Sequence, residues 1–195
     1  AQEIATSTML ATKSTIPMNQ LLTAQTTDQI EDNIARYYTV NQQLQAMPFN
    51  SSTPVLYYNK GLVEQLGLTP LPQDPSYTDV LNLAKAITNK TGGQTKGMTI
   101  EAYGWLFEEL TANQNQLLAN HDNGRAAGQY ATKINLNTPA AKRLMQFMTQ
   151  AIQDKSFVNY GSGDIAEANQ QTAFLAGKLG IFMQSSASTG DLQAN

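Results

Sequence analysis

The sequence contains no cysteine, one histidine and one tryptophan. Without cysteine there is no disulfide, no thiolate nucleophile and no cysteine-ligated zinc site. The single histidine, His121, lies in the turn sequence NHDNG, so we expect it on a surface turn and not in a catalytic site. One histidine excludes most imidazole-ligated metal sites, and a histidine on a surface turn is poorly placed to act as the base of a Ser-His-Asp triad. We therefore expect neither a metal ion nor a cofactor.

Charged residues are also few. Charged residues make up 14% of the chain, and 12 Lys and Arg against 15 Asp and Glu give a net charge of -3. The basic residues are scattered singly, which leaves no positive surface for the phosphate backbone of a nucleic acid. No apolar run approaches the ~20 residues of a membrane-spanning helix, and the mean hydropathy is -0.34. These values indicate a globular chain that binds no nucleic acid and has no membrane span within this sequence.

Five segments carry helical signals. The clearest begin with a cap: Ser76 with Asp79 three residues on, and Thr138 followed by Pro139. Asp164 is predicted to cap a helix in the same way, with Glu167 at the third position. Apolar residues then recur at helical spacing until a glycine or a polar residue ends the pattern. The predicted helices are 27–45, 61–67, 76–90, 138–155 and 164–176.

Short apolar runs between these helices predict strands over 54–59 and 178–183, with weaker signals over 97–100 and 8–11. Strands separated by helix-length segments indicate an α/β domain with a mainly parallel sheet. After 178–183 the sequence QSSASTGDLQAN predicts a strand-to-helix turn whose helix has barely begun. The chain also starts Ala-Gln-Glu without Met. We therefore expect it to be part of a longer protein.

Three serines follow the last predicted strand. Ser185, Ser186 and Ser188 stand, with Thr189 and Gly190, where the strand gives way to a helix. Such a turn presents backbone N–H groups, hydroxyls and the positive end of a helix dipole, which suit a phosphate, a carboxylate or sugar hydroxyls. The simpler alternative is a Ser/Thr cap on a surface turn.

A carboxylate and two aromatic rings alternate after the 97–100 strand, as Glu101, Tyr103 and Trp105. Polyol recognition uses such a set, because a ring face covers C–H groups while an acidic oxygen accepts from hydroxyls. The alternative is that Trp105 packs into the core at the start of a helix over 103–119.

The polar loop before the 54–59 strand supplies two more candidates, Asn50 and Ser52, whose alternation allows both to face one side. A plain turn is the alternative for this loop.

An enzyme finds less support. Glu108 and Glu109 are adjacent, so a helix points them about 100° apart and they cannot form the facing pair that glycoside hydrolysis needs. No glycine-rich phosphate loop, HExxH, EF-hand loop or GxSxG sequence occurs. A carbohydrate-active hydrolase with carboxylates assembled from distant segments remains the alternative function.

Four segments together resemble a known family. They are MPFNSSTPVLYYNKGLVEQLGL, PSYTDVLNLAKAIT, EAYGW and AEANQQTAFLAGKLGIFMQSSAS. In this order and spacing they are similar to the family 1 extracellular solute-binding proteins of ABC importers, which include the maltose-binding and glycerol-3-phosphate-binding proteins. FNSSTPVLYYNK is most similar to the glycerol-3-phosphate-binding branch.

The resemblance implies a periplasmic-binding-protein-like type II fold, in which two α/β lobes close on a solute by hinge motion. Residues 1–48 would then belong to the first lobe and the crossing segment, and 49–195 to most of the second. It also implies roles by position. Ser52, Glu101, Tyr103 and Trp105 would line the cleft, and the turn formed by Ser185, Ser186 and Ser188 would meet the solute.

What the resemblance implies for function is a substrate-binding component of an ABC importer and not an enzyme. Its partners would be a sugar, glycerol 3-phosphate or glycerophosphodiester and the permease subunits. Its location would be extracytoplasmic, as a cell-surface lipoprotein or in the periplasm. Two departures bear on the solute. Ala102 replaces a second tryptophan of the glycerol-3-phosphate branch, and no aromatic residue stands near Ser188 as in the maltose branch. Fewer aromatic faces favour a small polar or phosphorylated solute.

Overall fold

The computed structural model describes residues 5–101, 103–126 and 130–194. Ala102, where the sequence departs from the glycerol-3-phosphate branch, lies outside them. The chain forms two compact units, one of residues 1–51 with 117–136 and one of 52–116 with 137–195. The assignment of 1–48 and 49–195 to two lobes stays a prediction.

The first unit consists of short elements. They are helices α1 (Thr6–Ala11), α2 (Ala24–Thr27), α3 (Asp32–Tyr38) and α7 (Asn120–Gly124), strands β1 (Thr39–Val40) and β2 (Gln43–Leu44), and a 3₁₀ turn at Met18–Gln20, all numbered here in chain order. His121 lies inside α7 with a left-handed backbone, φ 54°, as do the next two residues, so the predicted turn is present.

Two predictions in this unit are wrong. Residues 8–11 were expected as a strand but lie in α1, because so short an apolar run does not distinguish a strand from a helix. The single helix expected over 27–45 is broken. Helix α3 ends at Tyr38, and β1 and β2 then form an antiparallel hairpin. Asn41 and Gln42 have φ of 53° and 61°, a turn conformation that a helix does not allow.

The second unit contains a three-stranded sheet of β3 (Pro54–Tyr58), β4 (Lys96–Ile100) and β5 (Leu179–Ser185), in the order β3-β5-β4. β4 runs parallel to β5, but β3 runs antiparallel to it, so the prediction of a mainly parallel sheet holds for one of the two ladders. Pro54 pairs with Ser185, and Ile100 pairs with Met183. The start of β3 and the ends of β4 and β5 therefore meet at one end of the sheet.

Helices accompany this sheet, as an α/β domain requires. They are α4 (Lys60–Gln65), α5 (Tyr77–Lys90), α6 (Gly104–Ala112), α8 (Pro139–Gln153), α9 (Asp164–Leu175) and α10 (Thr189–Ala194). The capping box of Ser76 and Asp79 is present on α5, and Thr138 caps α8 with Pro139 in the first turn.

The helix expected over 103–119 ends at Ala112. The predicted cap by Asp164 is wrong. Asp164 is the first residue of α9, and Gly163, with φ 80°, stands at the cap. A left-handed glycine can occupy that position where other residues are strained.

The core of the second unit lies where α5 packs on β4. Gly97 approaches so closely that an added Cβ would lie 2.0 Å from the carbonyl oxygen of Ala84. The Thr88 hydroxyl donates to the same carbonyl and accepts from the Gly97 N–H. Buried apolar side chains from both elements, including Leu83, Ile87 and Met98, complete the cluster. Among the described residues, no helix is both long and apolar enough to cross a membrane.

Candidate functional site

The described structure brings most of the predicted site residues to one end of the three-stranded sheet. We call it the polar end, and it comprises residues 52–53, 101, 103–105 and 184–189. Ser186 connects two of its segments, because its N–H donates to the Thr53 carbonyl at 2.8 Å and its Oγ accepts from the Thr53 N–H at 3.2 Å. Glu101 connects the third, through a hydrogen bond from Gln184 at 3.2 Å. Ligands of open α/β sheets typically bind beyond the carboxyl ends of parallel strands, and this is where the set lies.

Two aromatic rings stand at this end. Tyr103 is 46% exposed, and Trp105 is partly buried against the core. Their ring centroids are 6.2 Å apart and their planes are inclined by 43°. Trp105 therefore packs against the core with part of its surface left free, as the core-packing alternative expects in part. Tyr103 has the larger free surface.

The serine turn is held from inside the protein. Ser185 Oγ accepts from the Ala187 N–H at 3.1 Å, and Ser188 is buried and accepts from the Gln171 side chain on α9 at 3.2 Å. The Tyr57 hydroxyl donates to the Ser185 carbonyl and lies 2.9 Å from Thr189 Oγ1. The backbone donors of Ser186 and Ala187, expected to be open to a ligand, are thus engaged by protein oxygens. The hydroxyl groups of Ser185 and Ser186 accept hydrogen bonds from backbone N–H groups, so each can still donate its proton to a ligand.

Ser52 and Asn50 are exposed. Ser52 immediately precedes the Thr53 backbone that bonds Ser186, so the fold places it at the polar end. Asn50 belongs to the first unit.

Glu101 is buried, with 7% exposure. One carboxylate oxygen accepts from the Gly163 N–H at 2.7 Å, and the other accepts from Gln184. Gln184 in turn accepts from the Ser185 N–H at 2.8 Å. Sequence reasoning missed Gln184, Gln171 and Gly163, although the position of Gln184 directly after the apolar run of β5 was a usable signal.

Negative charge collects beside the polar end. Partial burial raises the pKa of Glu167 on α9, and the carboxylates of Glu101, Asp164 and Asp191 raise it further. The sequence has no Lys or Arg in 97–124 or 179–195 to offset them. The described residues contain no group of three or more His, Asp or Glu side chains that could hold a metal ion.

Comparisons with known proteins show what this chain is similar to. The chain is 31% identical over 161 residues to the sn-glycerol-3-phosphate-binding periplasmic protein UgpB of Agrobacterium fabrum. This alignment covers 82% of this chain and 35% of that protein. It is 29% identical over 198 residues to UgpB of Yersinia pestis, in an alignment that covers 98% of this chain and 43% of the relative. The chain therefore spans less than half the length of these relatives.

Solved structures show the same fold. The GacH receptor of Streptomyces glaucescens superposes with a TM-score of 0.74 at 18% identity, over 99% of this chain and 46% of that one. UgpB of Mycobacterium tuberculosis, solved with glycerophosphocholine, gives 0.70 at 19% identity, over 97% and 46%. The fold is of the type II periplasmic-binding-protein kind. A match to the family described as bacterial extracellular solute-binding protein extends over residues 2–195, and this chain belongs to that family.

Proposed function

We propose that this protein is the solute-binding component of an ABC importer and captures a small hydroxyl-bearing solute in a cleft between two lobes. The candidates are a sugar, a glycerol phosphate or a glycerophosphodiester, the classes that the names of its relatives and structural neighbours include. The observation that carries the proposal is the polar end itself. An aromatic pair, with Tyr103 exposed and Trp105 partly buried, and two serine hydroxyls with protons to donate lie beyond the ends of adjacent parallel strands.

In this proposal the aromatic pair covers the carbon skeleton of the solute. Tyr103 supplies the exposed face and Trp105 supports it from the core side. Ser185 and Ser186 donate to solute oxygens, each contributing about 1 kcal/mol net. Ser52 extends the same polar set from the residue before Thr53, and Asn50 stays a predicted ligand-binding residue. Ser188, buried beneath α9, contributes by fixing the turn.

The charge around the polar end bears on the solute. The carboxylates of Glu101, Asp164 and Asp191 raise the pKa of Glu167 there, without a Lys or Arg in the adjoining segments. Like charges disfavour a phosphate at this position. We therefore propose that the neutral, hydroxyl-bearing part of the solute meets the polar end, and that any phosphate is held elsewhere.

The remaining parts of the proposal follow from the family. The protein would work outside the cytoplasm, in the periplasm or as a cell-surface lipoprotein, and deliver its solute to permease subunits. It would not be an enzyme. For the hydrolase alternative, a reactive carboxylate is needed, and both oxygens of Glu101 are already occupied by protein donors.

A thermal-shift panel on the protein in its full natural length tests this function. The probes are maltose, glycerol, sn-glycerol 3-phosphate and glycerophosphocholine. A probe at 100 times its Kd stabilises the folded state by ~2.7 kcal/mol, and this raises Tm, by fewer degrees per kcal/mol the longer the chain. The same probe should be recovered unchanged after prolonged incubation. No shift with any probe contradicts the binding function, and hydrolysis of a bound probe favours the enzyme alternative.

A further inference from the structure

A chain of three hydrogen bonds crosses the polar end beneath its surface. It runs from the Gly163 N–H to one oxygen of Glu101, from the Gln184 side chain to the other oxygen, and from the Ser185 N–H to Gln184. We infer that Glu101 is a positioning residue of this site. Its carboxylate holds the start of α9 and, through Gln184, the serine turn in the geometry that receives a solute. The binding part of this inference rests on the proposed function, and the structural part does not.

The chemistry of the three groups fixes the direction of the chain. A carboxylate only accepts hydrogen bonds, and a backbone N–H only donates them. Gln184 lies between one of each, so its amide nitrogen must face Glu101 and its oxygen must face Ser185, as observed. Bonds to an ionised group are stronger than neutral ones, and the enclosed position of Glu101 keeps water from competing.

The backbone supports the same role. Glu101 directly follows β4, so its Cα is fixed by the sheet. Gly163 has φ 80°, and its N–H points to the carboxylate. The N-terminus of α9 has no side-chain cap of its own, and a negative group near a helix N-terminus is favourable. One side chain thus ties a strand end, a helix start and the serine turn together.

Substitution by glutamine separates this role from simple packing, because the two side chains have nearly the same shape. In Glu101→Gln the new amide can accept from Gly163, but its nitrogen then faces the Gln184 nitrogen. If the Gln184 amide rotates to present its oxygen to the new amide nitrogen at position 101, its own nitrogen then faces the Ser185 N–H, and two donors again face each other. No orientation satisfies all groups, so the turn loses one hydrogen bond.

The double variant Glu101→Gln with Gln184→Glu restores every bond. The new amide accepts from Gly163 and donates to the new carboxylate, which also accepts from the Ser185 N–H. Net charge is unchanged from the wild type. Glu64→Gln is the matched control for loss of one negative charge, because Glu64 lies exposed on α4 in a single ion pair with Lys60.

Two measurements on the full-length protein test the inference. The first is amide hydrogen exchange at Ser185. The second is affinity for maltose, sn-glycerol 3-phosphate and glycerophosphocholine by isothermal calorimetry. We expect Glu101→Gln to speed exchange and to weaken the binding of whichever probe the wild type binds, each by about tenfold or more, as for loss of one hydrogen bond to a charged group. The double variant should return both values to within about threefold of the wild type, and Glu64→Gln should leave them unchanged.

Three results would overturn the inference. The first is an exchange rate at Ser185 in Glu101→Gln that equals the wild-type rate, and the second is a double variant that does not fold. The third is a double variant that restores the exchange rate but not the affinity. The last result would mean that the Glu101 carboxylate contacts the solute directly. If the single variant does not fold, the double variant still decides the matter. If no probe binds the wild type, the proposed function fails for these solutes, and the exchange comparison still tests the positioning role.

Discussion

Replacing Gly97 by alanine should strongly destabilise the second unit. The added methyl would lie 2.0 Å from the Ala84 carbonyl oxygen and 2.6 Å from the Ala84 Cα, whereas ordinary van der Waals contact begins near 3.4 Å. These atoms belong to the backbone of α5, so no side chain can turn away to make room. Strand β4 and helix α5 must separate by roughly 1 Å or more, in a core that is close-packed.

The cost has two parts. Overpacking a well-packed core costs about 1–3 kcal/mol. The separation also stretches the 2.9 Å hydrogen bond from the Gly97 N–H to the buried Thr88 hydroxyl, and an unsatisfied buried group costs about 1–3 kcal/mol more. We therefore expect Gly97→Ala to lower the free energy of unfolding by roughly 3 kcal/mol or more. For a chain of this size that lowers Tm by about 6–12 °C.

Urea unfolding followed by circular dichroism measures this loss. Gly104→Ala is the control, since it makes the same chemical change at the start of α6, where an added Cβ meets nothing within 4 Å. The control should be neutral or more stable by up to about 1 kcal/mol. A Gly97→Ala variant within about 0.5 kcal/mol of the wild type, the range of ordinary surface substitutions, would refute the close approach of β4 and α5.

Three further changes test other parts of the structure. Glu167→Gln should raise the free energy of unfolding at pH 7 by about 0.2–1 kcal/mol. The raised pKa of Glu167 means that its ionised form is disfavoured on folding, a penalty present above the raised pKa and absent once the pH falls below the ordinary value. The gain in urea unfolding should therefore vanish near pH 3, and equal gains at both pH values, or an equal gain from the exposed Asp74→Asn, would contradict it. Trp105→Ala should weaken solute binding in calorimetry by about tenfold or more, and Ser186→Ala by less; the reverse order would contradict the aromatic role. Ser76→Ala should cost about 1 kcal/mol in the same unfolding assay because it removes the cap of α5, and an unchanged midpoint would show that the cap contributes nothing.

Local signals predicted the elements whose ends are set by nearby residues. The capping box at Ser76 and the Thr138–Pro139 pair located α5 and α8, and three apolar runs located the strands of the sheet. These signals work because caps and apolar periodicity act within a few residues. The break after Tyr38 was missed because it depends on two non-glycine residues with left-handed backbones, which side-chain periodicity does not show.

The candidate site was predictable in its location but not in its internal bonds. A strand-to-helix turn at Ser185 and aromatic residues after β4 are visible in the sequence, and adjacent parallel strands bring such segments to one end of a sheet. The pairing of Glu101 with Gln184 joins residues that are 83 positions apart. No periodicity links such positions, and only the register of β4 on β5 brings them together.

The order of the three strands also has a consequence for how the chain acquires its structure. β3 and β4 never pair with each other, and the strand between them, β5, is the latest of the three to be synthesised. Pro54 finds its partner only when Ser185 has left the ribosome. Until then both earlier strands have exposed edges, and closing such long loops is slow compared with forming local helices. We therefore expect the nascent second unit to acquire its helices first and to remain accessible to chaperones until β5 has been synthesised.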